Sequence, residues 1–195
     1  MNNICVKFHA WTFLDEIYGF FENGDIVTFS IGCEQNEFII SDKQESYLKH
    51  KKLSNYYYSG KVIYKCTDCF VSLIVIDTGK LILFISDDKE TISSISTGQY
   101  IQGEGELYVD YMDWMSVKPL NPNTGDADDT YAPDIYYQFK IIKLYELINE
   151  EGTNEKEETD LGSSLFFPPE HGVVELRNPY SLAIAYIEME ILKRL

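Results

Sequence analysis

Short runs in which apolar and polar residues alternate recur along the chain, with turn-forming residues between them. Residues 25–31 follow the turn dipeptide Asn23-Gly24, and their alternation predicts a strand. Residues 37–41 predict a second strand, and the alternation over residues 61–66 predicts a third. The first part of the chain is therefore expected to contribute several short strands to a sheet.

The clearest single element is a hairpin. Two apolar runs, 70–76 and 80–85, are separated by Asp77-Thr78-Gly79, and Gly79 can adopt the positive φ that such a turn requires. Both runs are apolar on both faces, which is typical of strands that are covered on two sides. We therefore expect this hairpin to lie near the centre of the sheet.

The remaining patterns are longer or less regular. Residues 98–112 predict a long strand that bends at its glycines, as strands do in barrels and curved sheets. Residues 134–147 begin with strand-like alternation, and residues 182–192 favour a C-terminal strand. A helix is predicted in residues 10–21, and a second helix is considered in residues 42–53.

Together these elements predict an α+β fold of β-rich character, with a curved antiparallel sheet or partly closed barrel and one or two packed helices. The length suits a single domain spanning residues 1–195, and a hydrophobic content of 45% is sufficient for a packed core. The 15 Tyr and 11 Phe are residue types that suit half-buried strands.

Neither a membrane span nor a secretion signal is apparent in the sequence. No stretch approaches the roughly 20 apolar residues that a membrane span needs, and residues 1–7 lack the pattern of a signal peptide. The four cysteines are too few and too scattered for a disulfide scaffold. These features predict a reduced, cytoplasmic setting.

The formal charge of -16 is unevenly distributed along the chain. Residues 104–160 contain 15 acidic and 4 basic side chains, and this stretch includes two acidic segments that are predicted to be loops, at about 119–133 and 149–164. Such a field repels nucleic acid and anionic membranes, whereas it steers a basic protein towards the chain.

Tyrosines are interleaved with these acidic residues, and tyrosine is a favoured anchor at protein interfaces. We therefore predict a surface that binds a basic protein on the two segments and their flanks. The residues of this predicted surface are Asp126, Asp128, Asp129, Tyr131, Asp134, Tyr136, Tyr137, Glu155, Glu157 and Glu158. An ordinary solvated surface remains the simpler alternative. Calcium is disfavoured because Asp126-Ala127-Asp128-Asp129 lacks ligand spacing and a closing Glu.

Several motifs that could carry chemistry are incomplete. Asp77-Thr78-Gly79 matches the active-site triplet of aspartic proteases, but that chemistry needs two such carboxylates and the chain has one triplet. Cys66 and Cys69 have the spacing of half a zinc site or of a redox pair, without a second close pair of ligands. Glu104 and Glu106 are expected to line a strand face and not to form a glycosidase pair. No enzymatic activity, cofactor or metal is therefore predicted.

In overall character the chain resembles the bacterial immunity proteins, which neutralise toxins delivered between cells, including those of contact-dependent inhibition systems. The features that carry the resemblance are small size, acidity, many predicted strands and a composition rich in Asn, Lys, Ile and Tyr. Residues 136–144, Tyr-Tyr-Gln-Phe-Lys-Ile-Ile-Lys-Leu, resemble a late strand in such families. The resemblance implies a tight one-to-one complex with a cognate, often basic, nuclease toxin.

The sequence thus predicts a non-enzymatic domain that binds a basic partner protein, with acidic side chains pairing with its cationic groups and tyrosines filling its substrate cleft. Two alternatives stay open. A small-molecule or sugar-binding β-barrel would also use aromatic side chains, and a deep apolar pocket would favour it. A nucleic-acid mimic that inhibits a DNA-binding protein would share the electrostatics and differ only in its partner.

Overall fold

The computed structural model describes residues 2–9, 23–67, 72–109, 135–147, 158–160 and 184–195. These residues form eleven strands and one short helix, which the following bounds define. They are β1 (Asn3–His9), β2 (Ile26–Phe29), β3 (Ile31–Ser41), β4 (Tyr47–Lys52), β5 (Asn55–Cys66), β6 (Leu73–Asp77), β7 (Ile82–Ser86), α1 (Lys89–Ser94), β8 (Tyr100–Val109), β9 (Tyr137–Leu147), β10 (Glu158–Asp160) and β11 (Ile184–Arg194).

Five of the strands close into a barrel. Strand β8 pairs with β3 on one side and with β5 on the other, β5 pairs with β6, and β6 pairs with β7. The ring is completed by a parallel pairing of β3 with β7, in which Ile31 lies opposite Leu83. Closure removes the open edges that these strands would otherwise expose.

The sheet continues from the barrel through β1. The end of β8 pairs in parallel with β1, where Lys7 lies opposite Tyr108, and β1 pairs antiparallel with β11. Strand β11 pairs with β9, and β9 pairs with both β10 and β2. Because only Ser30 separates β2 from β3, this series of pairings leads back to the segment from which β3 begins.

The sequence predicted the β-rich character and the main strands correctly. The hairpin is formed by β6 and β7, Gly79 has a φ of 77°, and the apolar side chains of both strands are buried. Strand β11 confirms the predicted C-terminal strand. Strand β8 confirms most of the long strand predicted for residues 98–112, of which residues 110–112 lie outside the described part.

Other expectations are corrected. The barrel is closed and not partly closed, and two of the pairings in the expected antiparallel sheet are parallel. The described residues contain a single helix of 6 residues, so the helical part of the predicted α+β fold is small. The helix considered in residues 42–53 is wrong, because β4 lies there and pairs with β5. The helix predicted for residues 10–21 lies outside the described residues.

Two buried tyrosine hydroxyl groups accept hydrogen bonds from backbone amides of other strands. Tyr56 on β5 accepts a hydrogen bond from the amide of Cys5 on β1, at 2.8 Å. Tyr137 on β9 accepts one from the amide of Ile82 on β7, at 3.0 Å. A buried amide without a partner would be costly, so these two side chains join the barrel to the rest of the sheet.

Candidate binding site

Polar side chains and partly exposed aromatic side chains lie together on the outward face of four neighbouring strands. Strands β3, β8, β5 and β4 lie side by side, and side chains alternate between the two faces of each strand. The inner face holds Tyr56 and Tyr58 opposite Gly105 and Gly103. We call the other face the outer sheet face. Its residues are Glu34, Glu37, Ile39, Tyr47, Lys49, Lys51, Asn55, Tyr57, Gln102, Glu104 and Glu106.

Two pairs of glutamates face each other across β3 and β8. Glu34 lies opposite Glu106, and Glu37 lies opposite Glu104, with a register shift between the two pairs. Like charges directly opposite on neighbouring strands destabilise a sheet. Two consecutive pairs therefore raise the question of which cations offset the repulsion.

The first pair is compensated within the chain by Lys7. Its ammonium group lies 3.2 Å from Glu34 and 3.1 Å from Glu106, and only 13% of the Lys7 side chain is exposed. Burial disfavours this ammonium, but its hydrogen bond to Glu106 and the charges of both glutamates outweigh that effect. The pKa of Lys7 is therefore raised above 10.5. Because Lys7 lies on β1, its two ion pairs connect β1 with β3 and β8.

In the second pair, only Glu104 has a lysine beside it. Lys51 donates a hydrogen bond to Glu104, and its ammonium group lies 5.2 Å from the centre of the Tyr57 ring. Glu37 is exposed, and within the described part of the chain its carboxylate forms neither a hydrogen bond nor an ion pair. A carboxylate opposite another carboxylate is thus left without a cation of its own.

A groove of about 330 Å³ lies on the outer sheet face beside this second pair. Its walls are formed by Glu37, Phe38, Ile39, Tyr47, Tyr57, Gln102, Gly103 and Glu104. Ile39 is 60% exposed and Tyr57 is 44% exposed, both large values for residues on the central strands of a sheet. Lys49 places its ammonium group 4.7 Å from the centre of the Tyr47 ring. The groove therefore combines carboxylates with accessible aromatic and aliphatic surface.

Most of the binding residues predicted from sequence lie outside the described part of the structure. These are Asp126, Asp128, Asp129, Tyr131, Asp134, Glu155 and Glu157. The backbone of Glu158 lies in β10, opposite Leu147. Tyr136 is partly buried, whereas Tyr137 is 6% exposed and packs against Phe139. The Tyr137 ring therefore contributes to the core and offers little surface to a partner.

Two of the incomplete motifs have structural explanations. The amide of Gly79 donates to a carboxylate oxygen of Asp77. The Thr78 hydroxyl donates to the Leu81 carbonyl oxygen and accepts from the Leu81 amide. The triplet is thus a hairpin turn. Cys66 is buried and disulfide-bonded, so its sulfur is not a free thiolate for zinc, and this departs from the reduced setting expected from the sequence. Cys69, the other member of the possible redox pair, lies outside the described residues. The described residues contain no cluster of three or more potential metal ligands.

The two-residue spacing of Glu104 and Glu106 predicted that they share one strand face, and the alternation on β8 confirms this. Their partners Glu34 and Glu37 and the tyrosines Tyr47 and Tyr57 were not predicted. The registers of β3 against β8 and of β4 and β5 beside them bring these residues together, and no local pattern encodes those registers. The sequence signal that did exist was the two-residue spacing of Glu104 and Glu106 within a segment of excess acidic residues.

No helix among the described residues is long and apolar enough to cross a membrane. Comparison of the chain with protein-family models, with curated proteins and with solved structures found no match.

Proposed function

We propose that the protein is a non-enzymatic binding domain that neutralises a basic, nuclease-like toxin by direct contact, as an immunity protein does. The observation that carries the proposal is the pair of opposed glutamates, Glu37 and Glu104, on the outer sheet face beside exposed Tyr57. Repulsion of this kind costs folding free energy, and a cationic partner would relieve it.

Sequence and geometry point in the same direction. Glu104 and Glu106 are the first two acidic residues of the segment 104–160, which contains 15 acidic and 4 basic side chains. A partner that approaches this segment is steered by its field, and the outer sheet face extends the same negative region onto β3. Nucleases bind phosphate with cationic groups, so such groups are natural partners for these carboxylates.

The alternative of a small-molecule or sugar-binding barrel has one observation in its favour, since tyrosines line the groove. The feature that would favour it is a deep apolar pocket. The groove instead lies open on a sheet face and is flanked by two glutamates. The alternative of a nucleic-acid mimic differs in partner alone, and identifying the captured protein decides between them.

The test is to immobilise the full chain, capture its partner from lysate of the native cell, identify that protein by mass spectrometry and assay its activity. We expect a basic protein whose nuclease or toxic activity is lost at a one-to-one ratio. The triple variant Asp126→Asn/Asp128→Asn/Asp129→Asn should associate several-fold more slowly at low salt, because electrostatic steering acts mainly on the association rate.

A control variant removes the same number of charges elsewhere, at the exposed residues Asp42, Glu45 and Glu90. It should associate with the partner at nearly the wild-type rate. The proposal is wrong if the captured protein keeps its full activity in the complex. The role assigned to the acidic segment is wrong if both triple variants slow association equally.

A further inference from the structure

We propose that the groove between Glu37 and Glu104 binds the guanidinium group of an arginine side chain supplied by the partner protein. The inference rests on the proposed function, because it names the place where a basic partner is held. The groove leaves aromatic, aliphatic and carboxylate surface uncovered on the centre of a sheet.

Charge complementarity is the first argument for a cation in the groove. The two opposed glutamate pairs differ in how their charge is compensated: Lys7 bridges Glu34 and Glu106, whereas Lys51 contacts Glu104 and leaves Glu37 uncompensated. Cβ atoms of directly opposed residues lie about 5 Å apart. One cation placed between Glu37 and Glu104 would therefore repeat the arrangement that Lys7 provides for the first pair.

The lysines of the chain itself show that the aromatic walls accept a cation. Lys49 lies over Tyr47 and Lys51 lies over Tyr57, each within the distance at which a cation is attracted to an aromatic ring. Both lysines are on the exposed edge strand β4, and both are themselves exposed. They can swing away into solvent when a partner approaches, which would release the Tyr57 ring and the Glu104 carboxylate for it.

Arginine fits this groove better than lysine does. A guanidinium group is planar, donates several hydrogen bonds in fixed directions and can bridge two carboxylates while it stacks on a tyrosine ring. Gln102, which also lines the groove, carries an amide oxygen that accepts a hydrogen bond from the Ser41 hydroxyl and has a second lone pair for a guanidinium N–H. Ile39 offers apolar surface for the aliphatic part of the arginine side chain.

The test uses a capped peptide, acetyl-Gly-Arg-Gly-amide, titrated into ¹⁵N-labelled full-length protein and followed by the backbone amide shifts of β3, β5 and β8. The control peptide replaces arginine by citrulline, which has the same shape without the charge. We expect the arginine peptide alone to shift these amides, with weak affinity. Glu37→Gln should weaken binding about 2- to 5-fold, the effect expected for the loss of one exposed ion pair. The matched control Glu90→Gln, on α1, should leave binding unchanged.

The outcomes separate this inference from the proposed function. If the citrulline peptide binds as well, or if Glu37→Gln has no effect, the arginine site is wrong, although the chain can still inhibit its partner. If an oligosaccharide shifts the groove amides and the arginine peptide does not, the inference is equally overturned and the sugar-binding alternative gains support. If the arginine peptide binds as expected but no basic partner is inhibited, the groove assignment holds and the proposed function fails.

Discussion

At the scale of single residues, several buried groups of the barrel hold their protons more tightly than usual. Burial raises the pKa of the Cys33 thiol to about 12, with smaller contributions from the charges of Glu34 and Glu106. Burial also raises the pKa of the Tyr56 and Tyr58 hydroxyl groups above their ordinary value of 10. In the unfolded chain these groups lose their protons at their ordinary pKa values.

This predicts that the protein loses stability in alkaline solution. A group whose pKa is raised by folding contributes stability that is complete below its unfolded pKa and is lost as the pH rises towards its folded pKa. Each such group should lower the free energy of unfolding by about 1.4 kcal/mol per pH unit above its ordinary pKa. Urea unfolding at intervals from pH 7 to pH 11 would measure the slope.

Tyr58→Phe should flatten that slope above pH 10, because it removes one of the groups. It should also lower stability at pH 7 by about 1 kcal/mol, since the Tyr58 hydroxyl donates a hydrogen bond to Gln35 at 3.0 Å. The matched control is Tyr57→Phe, one position earlier on β5, because Tyr57 is on the outer sheet face and is 44% exposed. Equal slopes for the two variants would contradict the prediction.

Individual residues of the candidate site were partly predictable. The two-residue spacing of Glu104 and Glu106 correctly indicated one strand face. The burial of Tyr137 was not predictable from its acidic neighbourhood, because the ring fills core space beside Phe29 and Phe139 that the chain brings together from β2 and β9. The density of acidic residues along the sequence therefore indicates where a basic partner would be attracted, but it does not indicate which tyrosines are exposed.

At the scale of elements, β8 needs a glycine at position 103, where it pairs with β3 on one side and with β5 on the other. A Cβ atom at Gly103 would lie 2.7 Å from the Tyr58 hydroxyl oxygen and 2.8 Å from the backbone carbonyl oxygen of Glu37. Both contacts are too close for a carbon atom, and the carbonyl belongs to a paired strand. The glycine thus permits the close approach of β3 and of the Tyr58 side chain.

Gly103→Ala should therefore destabilise the protein by about 2 kcal/mol, within the range observed for overpacked cores. Chemical denaturation at neutral pH would measure the change. Because Tyr58→Phe removes one of the two clashing atoms, the double variant should lose less than the sum of the two single losses. Strict additivity of the single losses would contradict the assigned clash with the Tyr58 hydroxyl group.

The elements that the sequence predicted well are those that short-range chemistry determines. The β6–β7 hairpin combines continuous apolar runs with a turn glycine, and each of these signals is local. Strand β4 lies within residues 42–53, where a helix was considered. Its pairing with β5 determines its conformation, and its three lysines suit an exposed edge strand, which they protect from pairing with other chains.

At the scale of the whole molecule, strands that are far apart in the sequence pair with one another in the sheet. Strand β11 lies between β1 and β9: it pairs with β9 along nearly its full length and with the whole of β1 through residues 184–190. Ile187 and Met189 on this strand are fully buried. Neither barrel closure nor this arrangement could be inferred from sequence, because the pairings that create them join residues far apart in the chain, such as Asn3 with Glu190.

A chain that lacks residues 184–195 should lose its cooperative unfolding transition, because two strand edges and the side chains packed against β11 become exposed. Circular dichroism during thermal unfolding and the dispersion of amide signals would report the loss. A chain that lacks only Leu195 should keep the transition, because it loses a single backbone hydrogen bond, to Tyr136. A sharp transition in the longer truncation would show that β11 is dispensable.

The position of β11 also has a consequence for how the protein is made. Strand β1 is synthesised well before β11, the strand that covers its length. Until residues 184–194 have left the ribosome, β1 has an uncovered edge and apolar side chains such as Phe8 lack part of their surroundings. We therefore expect the sheet around β1 to complete its fold only after β11 has been synthesised.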